Sequence, residues 1–414
     1  MIFAIAVHGT RGDIEPCAAA ALELRRRGHE VRLAVPPNLV AFVEELGLFP
    51  AVPYGVDSQK QLEADVFRKF WTVRNPVTVL RESREYATEG WAEMSTVSTE
   101  MADGADLLLT GTTYQEVAAN VAEYHRIPLA ALHYFPHRAN RTVVPVPLPP
   151  KLVQSGFAAG EWVHWQVMRK AEDAQRRELG LPKSSVRAIR RQIEGGALEI
   201  QAYDRLLFPG LADEWLGVRP FVGALPLARD TPDDDEVREW VAAGTPPIYF
   251  GWGSMPVERP DEAVAMITEV CAELGERALI SSGAWRLDHI PAADHVKLVG
   301  AVNHSAVFPL CRAVVHHGGA GTTAAGMRAG VPTLALWVGA DQPFFANQIK
   351  KLKIGAAQKF SNTTPENLRA ALRQALAADV VERAKELAAR LTPVSDSVRT
   401  TADLLEEAAR RGGD

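Results

Sequence analysis

The chain has few cysteines, no long hydrophobic run and no extended basic stretch. Its three cysteines, Cys17, Cys271 and Cys311, stand far apart and match no metal-ligand spacing, so we expect buried free thiols in a reducing compartment. No stretch approaches the roughly 18 apolar residues that a membrane span needs. The apolar start over residues 1–7 is too short for the core of a signal peptide. These absences predict a soluble, cytoplasmic protein.

Charge also argues against two kinds of partner. The formal net charge is −6 and neither half carries a long basic run, so the electrostatic footprint of a nucleic-acid-binding protein is missing. The acidic run at 233–235 could suggest a divalent metal site. It precedes a helical pattern at 237–241, however, and a solvated cluster that caps this helix is the better interpretation. We expect neither a bound metal nor nucleic acid.

The chain is long and apolar enough for two domains. It has 414 residues, of which 47% are hydrophobic, and this length exceeds one ordinary core. A proline-rich, acidic stretch marks residues 216–232 as the linker. We predict an N-terminal domain over 1–215, whose last strand lies at 206–209, a C-terminal domain over 233–390 and a helical tail over 391–414.

The most informative stretch of the sequence covers residues 313–348. An apolar run ends at His316 and His317, glycines follow, and a helical pattern begins, so the stretch predicts a strand, a glycine turn and a helix. Glycines let a ligand approach backbone amides, and a helix N-terminus offers unpaired N–H groups and a partial positive charge. A phosphate group would therefore fit at this turn.

Polar residues also follow the next predicted strand. An apolar run at 333–338 is followed by Asp341 and Gln342 and then by another helical segment. In open α/β sheets, ligands bind outside the carboxyl ends of the strands. Glycine turns of this kind also occur in α/β proteins without ligands. His317 and the Asp-Gln pair nevertheless favour a diphosphate with a cluster of sugar hydroxyls beside it.

The first strand of the chain leads into a different turn. The apolar run at 2–7 precedes the residues HGTRGDIEP and a helix that ends at Gly28, which is a βαβ opening without the G-x-G-x-x-G of a dinucleotide site. Asp13 stands between the predicted strand and the predicted helix. Spacing alone favours a helix N-cap for Asp13, with a general base at the carboxyl edge of the sheet as the alternative.

Candidate contacts to a second substrate lie in the first half. Trp71 belongs to an aromatic stretch that either lines a substrate pocket or is ordinary core. For His133, which ends a predicted strand, a structural role and contact with a substrate are the alternatives. Trp162, Trp165 and Met168 fall at helical spacing, which is typical of a core-facing stripe, although they could also contact an apolar substrate.

The motifs resemble those of one enzyme family. The pattern HHGGAGTT, followed by AGVP and by Asp-Gln, is similar to the signature of nucleotide-sugar glycosyltransferases of family 1, and GTRGDIEP resembles their first turn. This group includes glycopeptide-antibiotic, bacterial sterol and glycopeptidolipid glycosyltransferases. The resemblance implies an α/β protein with the GT-B fold, in which two Rossmann-like domains with parallel sheets face an interdomain cleft.

The resemblance also implies roles for particular residues. Asp13 is the general base, and Asp341 and Gln342 hold the sugar hydroxyls. His133 and Trp71, which are candidates from their positions alone, would contact the acceptor. The residues implied to bind the nucleotide and its diphosphate are Gly12, Ser254, Trp285, Val302, His317, Gly319, Gly321 and Thr322. Plant relatives stack the base on a tryptophan where this chain has Ala301, so Trp285 is the candidate for base stacking.

The implied reaction is an inverting, metal-independent transfer of a sugar from a UDP- or dTDP-sugar to a hydroxyl of an apolar acceptor. Such an acceptor would be a glycolipid, a lipopeptide, a polyketide or a sterol-like molecule. The nucleotide sugar is a cosubstrate and no cofactor is implied, and contact with a membrane would arise through a lipid acceptor. A nucleotide-sugar epimerase and a non-catalytic nucleotide-sugar-binding protein are the alternatives. The donor sugar, its nucleotide, the acceptor and the oligomeric state stay open.

Overall fold

Two units make up the chain, each built around a six-stranded parallel sheet. The computed structural model describes residues 1–48, 50–63, 84–143, 150–227, 231, 233–253, 255, 259–283, 287, 290 and 293–412. The first unit comprises Met1–Arg205, Pro209–Leu227 and Thr392–Asp414, and the second comprises Leu206–Phe208 and Ala228–Leu391. The predicted α/β class with two parallel sheets is confirmed.

The first unit reverses its strand order in the middle of the sheet. Its strands are β1 (Ile2–Ala6), β2 (Glu30–Val35), β3 (Ala51–Pro53), β4 (Leu107–Thr110), β5 (Leu129–His133) and β6 (Leu198–Gln201). The spatial order is β3-β2-β1-β4-β5-β6. Chain connections therefore run in opposite directions from β1 and β4, and their carboxyl ends form the topological switch point where α/β sheets bind ligands.

Helices flank this first sheet. They are α1 (Arg11–Arg26), α2 (Val40–Glu45), α3 (Ser58–Glu63), α4 (Trp91–Ala102), α5 (Gln115–His125), α6 (Pro150–Glu178), α7 (Ala188–Glu194), α8 (Leu211–Glu214) and the last helix of the chain. The buried face of α1 is small in its middle, at Ala18 to Ala21, and has the larger Ile14 and Leu24 on either side. The last helix also packs on α1, because Arg27 contacts Asp403 at 2.6 Å and Glu406 at 3.0 Å.

The second unit repeats the same topology. Its strands are β7 (Ile248–Gly251), β8 (Ala278–Ser281), β9 (Val296–Val299), β10 (Ala313–His316), β11 (Thr333–Trp337) and β12 (Gly355–Lys359), in the order β12-β11-β10-β7-β8-β9. Its helices are α9 (Asp234–Ala242), α10 (Pro260–Leu274), α11 (His304–Val307), α12 (Ala320–Ala329), α13 (Gln342–Leu352), α14 (Pro365–Ala375) and α15 (Ala378–Ala388), and the last helix of the chain is α16 (Val394–Gly412). Its switch point therefore lies between β7 and β10.

The structure bears on three further predictions. Cys17, Cys271 and Cys311 are buried and free, as predicted. The strand predicted at 206–209 is wrong, because those residues form turns and the sixth strand is β6 at Leu198–Gln201. Within the described ranges, no helix combines the length and the apolar character that crossing a membrane requires.

Candidate functional site

The carboxylate of Asp13 lies at the switch point of the first unit. Helix α1 begins at Arg11 with Thr10 as its N-cap, so Asp13 is the third helical residue and is not itself the cap. Asp13 Oδ2 accepts hydrogen bonds from the Thr10 backbone N–H at 2.8 Å and from Thr10 Oγ1 at 3.1 Å. This reciprocal capping box holds the carboxylate in one orientation. Thr10 was missed in the sequence, although its T-x-x-D spacing carried the signal.

Burial sets the acidity of this carboxylate. It raises the pKa of Asp13 from the ordinary 3.8 to about 6, and the hydrogen bonds from Thr10 offset only part of the effect. Desolvation disfavours the charged form of an acid, whereas donors favour it. Asp13 is therefore mostly ionised at neutral pH and is more basic than an ordinary aspartate, which suits a group that removes a proton.

Two other titratable side chains lie in the same strand, turn and helix as Asp13. Cys17, one turn further along α1, lies 3.3 Å from the Tyr134 hydroxyl, and burial raises the pKa of its thiol to about 12. His8 Nε2 lies 3.0 Å from the carbonyl oxygen of Val56, and burial lowers the pKa of His8. Both side chains are therefore uncharged at neutral pH, so Asp13 is the group of this set that carries charge.

The other site residues predicted in the first unit are Gly12, His133 and Trp71, and they differ in how exposed they are. Gly12 is exposed in the first turn of α1, and its proposed contact with nucleotide stays a prediction. His133 is fully buried, with its ring nitrogens 3.0 Å from Gln115 Nε2 and 3.3 Å from Gln201 Nε2. A ring without exposed surface offers nothing to an acceptor in this conformation. Trp71 lies outside the described residues.

The glycine turn of the second unit connects β10 to α12 at the switch point. His316 Nδ1 accepts a hydrogen bond from the Gly318 N–H at 2.9 Å, and Gly318 has a φ of +88°, which favours glycine. Gly319 is the N-cap of α12, and a Cβ on it would overlap with His317 Nε2. The N-terminus of α12 thus begins directly beside the His317 ring.

His317 presents a neutral imidazole to this turn. Burial lowers its pKa to about 4, and the Gly251 carbonyl raises it by a smaller amount. The ring also lies next to the loop after β7, since a Cβ on Gly253 would be 3.3 Å from His317 Cε1. At neutral pH, His317 would therefore meet a phosphate as an uncharged ring and not as a cation.

The residues after Gly319 differ in what they expose. Gly321 is exposed and a Cβ on it would meet nothing within 4 Å, while Thr322 is partly buried. Thr323, by contrast, is buried and donates from Oγ1 to the Gly319 carbonyl at 2.8 Å. Gly321 and Thr322 therefore keep surface in this first turn that can meet a ligand, whereas Thr323 does not.

Loops that follow β7, β8 and β9 surround the second switch point. Gly253 and Gly283 both have positive φ, and a Cβ on Gly283 would overlap with the Gly253 carbonyl. Ser254 and Trp285 lie outside the described residues. The side chain of Val302 is buried in the core with Val307 and other apolar residues, so only its backbone is open to a role with nucleotide.

The acidic run at 233–235 proves to anchor the loop after β9. Asp233 Oδ2 accepts from the Gly300 N–H at 2.8 Å, and Asp234 Oδ1 accepts from the Asn303 N–H at 2.9 Å. Asp234 is buried, whereas a solvated cluster was expected. Among the described residues, no cluster of three or more histidine, cysteine or acidic side chains is arranged to hold a metal ion.

Asp341 and Gln342 begin helix α13 after β11. Asp341 is its N-cap and is partly buried. Gln342 is buried, and its Oε1 accepts from the N–H groups of Val338 at 2.8 Å and Gly339 at 3.2 Å. Since the amide oxygen holds the loop, a sugar hydroxyl would meet the Nε2 end of Gln342.

Known proteins resemble the chain in sequence over its whole length. Residues 3–143 match the glycosyltransferase family 28 N-terminal domain, and residues 261–398 match the erythromycin biosynthesis protein CIII-like C-terminal domain. An uncharacterized glycosyltransferase of Mycobacterium tuberculosis is 60% identical over 99% of this chain and 100% of its own length. Glycosyltransferase GtfE of Amycolatopsis orientalis is 31% identical over 96% of this chain and 95% of its own.

Solved structures share the fold. The glycotransferase of kitacinnamycin aligns with a TM-score of 0.73 at 20% identity and covers 98% of each chain. Glycosyltransferase VinC, solved in complex with dTDP, aligns with a TM-score of 0.71 at 18% identity over 99% of this chain and 100% of its own. With two parallel sheets of one topology and glycosyltransferase relatives along its full length, the chain belongs to the family 1 glycosyltransferases of GT-B fold, which are nucleotide-sugar-dependent enzymes.

Proposed function

We propose that the enzyme transfers a sugar from a UDP- or dTDP-sugar to a hydroxyl of an apolar acceptor, with inversion at the anomeric carbon. The observation that carries the proposal is the Asp13 carboxylate, which stands at the switch point of the first sheet with a pKa of about 6. A general base works best when its pKa lies near the operating pH. Thr10 holds one oxygen of this carboxylate in place.

The reaction is a single displacement. Asp13 takes the proton of the acceptor hydroxyl while the acceptor oxygen forms a bond to the anomeric carbon of the donor. The bond between that carbon and the diphosphate oxygen breaks, and its electron pair leaves with the diphosphate. Attack from the side opposite to the leaving group inverts the configuration at the carbon.

The diphosphate is held by the glycine turn of the second unit. Its negative charge meets the N-terminus of α12, the exposed backbone of Gly321 and the neutral ring of His317. The backbone N–H groups at this helix N-terminus stabilise the charge that develops on the leaving group, so the transfer needs no metal ion. Asp341 and the Nε2 of Gln342 bind the sugar hydroxyls.

The names of similar proteins support the donor and acceptor classes. VinC and SsfS6 were solved with thymidine diphosphate. A vancomycin aglycone glucosyltransferase of Amycolatopsis orientalis is 30% identical over 98% of this chain and 97% of its own. A hydroxylated lipid, lipopeptide, polyketide or sterol-like molecule is the acceptor class that we propose, and a membrane would be contacted through the acceptor when that acceptor is a lipid.

Ligand-dependent stabilisation followed by product analysis tests the proposal. A donor present at 100 times its dissociation constant should raise the free energy of unfolding by about 2.7 kcal/mol. The donor that gives the largest rise is then incubated, with and without EDTA, with a panel of hydroxylated apolar acceptors. NMR should show one glycoside of inverted anomeric configuration and equal yield in both samples. A retained configuration, or isomerised sugar formed from donor alone, would contradict the proposal.

A further inference from the structure

We propose that the outward face of helix α6 binds the surface of an anionic lipid bilayer. This binding surface is defined by the apolar residues Trp162 and Val163 and by the basic residues Arg169, Lys170 and Arg177. The proposal goes beyond glycosyl transfer and rests on exposure and charge, so it stands or falls independently of the proposed reaction.

One face of α6 is committed to the interior of the first unit. His164 Nε2 lies 2.7 Å from Glu116 Oε1 of α5, and Gln175 accepts from Trp91 Nε1 at 3.1 Å. Met168, between them along this face, is buried. At about 100° per residue, Trp162, Lys170 and Arg177 therefore point away from the packed side.

The first half of the outward face is uncharged and partly apolar. The exposed residues there are Ser155, Gly156, Ala158, Ala159, Gly160, Trp162 and Val163. The last two are 51% and 48% exposed. An exposed tryptophan beside an exposed valine marks an interaction surface, and tryptophan is enriched where protein meets the membrane interface.

The second half of the same surface is basic. Three cationic side chains are exposed among the described side chains of α6, namely Arg169, Lys170 and Arg177. Glu178 is the one exposed carboxylate of the same part, since Glu172 is buried and Glu161 and Asp173 are partly buried. The chain as a whole carries −6, so this excess of positive charge is local.

The combination selects an anionic bilayer as the occupant. A helix that lies in the membrane interface inserts tryptophan and aliphatic side chains at the boundary between headgroups and acyl chains, while its cations meet lipid phosphates. Trp162 and Val163 supply the first contact and Lys170 and Arg177 the second. A neutral bilayer would give the basic residues no anionic partners. An acidic protein partner would account for the basic residues but not for the exposed tryptophan, which is typical of a membrane interface.

Co-sedimentation with sucrose-loaded vesicles tests the proposal on the full chain without donor or acceptor. We expect the protein to sediment with vesicles of equal parts phosphatidylcholine and phosphatidylglycerol at low salt, and to stay in solution with phosphatidylcholine alone. Lys170→Gln should weaken binding about fivefold, because a basic side chain near such a surface contributes about 1 kcal/mol. Trp162→Ser should weaken it by at least about fivefold through lost apolar contact.

Leu216→Ser is the matched control. Leu216 is 82% exposed but lies outside α6, so its replacement should leave vesicle binding unchanged. Circular dichroism melting of each variant checks that the fold is retained. No sedimentation of the wild-type chain with anionic vesicles would overturn the proposal, and so would equal losses for Trp162→Ser and Leu216→Ser. Self-association of the wild-type chain that Trp162→Ser abolishes, without vesicle binding, would assign the face to a second copy and also overturn it.

Discussion

The backbone of Gly9 leaves open the space that the Asp13 carboxyl group occupies. A Cβ on Gly9 would lie 2.6 Å from Asp13 Cγ and 2.8 Å from Asp13 Cβ. Gly9 also has a φ of +141°, a conformation that side chains rarely adopt. Gly9, in the turn between β1 and α1, and the carboxylate four positions later therefore depend on each other.

Gly9→Ala is expected to displace Asp13 and to lower kcat more than it lowers donor affinity. Gly28→Ala is the control, because Gly28 has a φ of +86° but a Cβ on it meets nothing within 4 Å. Gly28→Ala therefore imposes backbone strain of about 1 to 3 kcal/mol but places no methyl group against another side chain. Melting curves and steady-state kinetics compare the two variants. Equal kcat values for both would show that the clash with Asp13 does not matter.

Asp13→Asn should reduce turnover by about 10² to 10⁴ with little change in nucleoside diphosphate affinity.

Asp13→Asn should also change the pH dependence of stability. The folded-state pKa of about 6 lies above the ordinary 3.8, so the wild-type chain loses stability as pH rises from about 4 to about 6. Asparagine removes this loss, which is up to about 3 kcal/mol. Melting temperatures across this pH range measure it, and parallel curves for both proteins would refute the assigned pKa.

Thr10→Val should move the pH profile of kcat/KM. The variant keeps the backbone donor to Asp13 Oδ2 and loses the Oγ1 donor at 3.1 Å, which favours the ionised carboxylate. A lost hydrogen bond of about 1 kcal/mol corresponds to about 0.7 pKa unit, so the acidic limb should shift to higher pH by about that amount. Thr10→Ser keeps the hydroxyl and should keep the limb in place.

Asp341→Asn tests the assignment of the sugar contacts. Asp341 begins α13 beside Gln342, and in the proposed reaction it meets the sugar and not the nucleotide. The variant should lower kcat/KM for the nucleotide sugar by about tenfold or more, in line with the loss of a charge-assisted hydrogen bond. Calorimetry should find unchanged affinity for the nucleoside diphosphate alone. A parallel loss of both would place Asp341 at the diphosphate.

Local sequence patterns predicted the elements that carry the candidate site. The apolar run before His316, the glycine turn and the helix from Ala320 follow from hydrophobic periodicity and glycine chemistry alone. Strand β6 was not predicted because polar residues interrupt its apolar pattern. Glu199 is buried between Arg138 and Arg219, and these partners are distant in sequence, so a strand pattern could not be recognised from its own residues.

Long-range anchoring was likewise beyond local patterns. Asp233 and Asp234 hold backbone amides of Gly300 and Asn303, whose positions lie 67 and 69 residues further along the chain. An acidic run before a helix is usually solvated, and only the tertiary fold shows that this one bonds a loop. The T-x-x-D capping box at Thr10, by contrast, is local and can be recognised from the sequence.

Gly321→Ala separates the stability of α12 from its role in binding. A Cβ at Gly321 meets nothing within 4 Å and the residue lies in the first turn of the helix, so alanine should stabilise the free protein by up to about 1 kcal/mol, the figure for a helix interior. In the proposed complex the diphosphate approaches this same backbone, and the added methyl group would occupy its place. The melting temperature should therefore rise while affinity for uridine or thymidine diphosphate falls. If affinity stayed unchanged in the stabilised variant, the diphosphate would not lie over the first turn of α12.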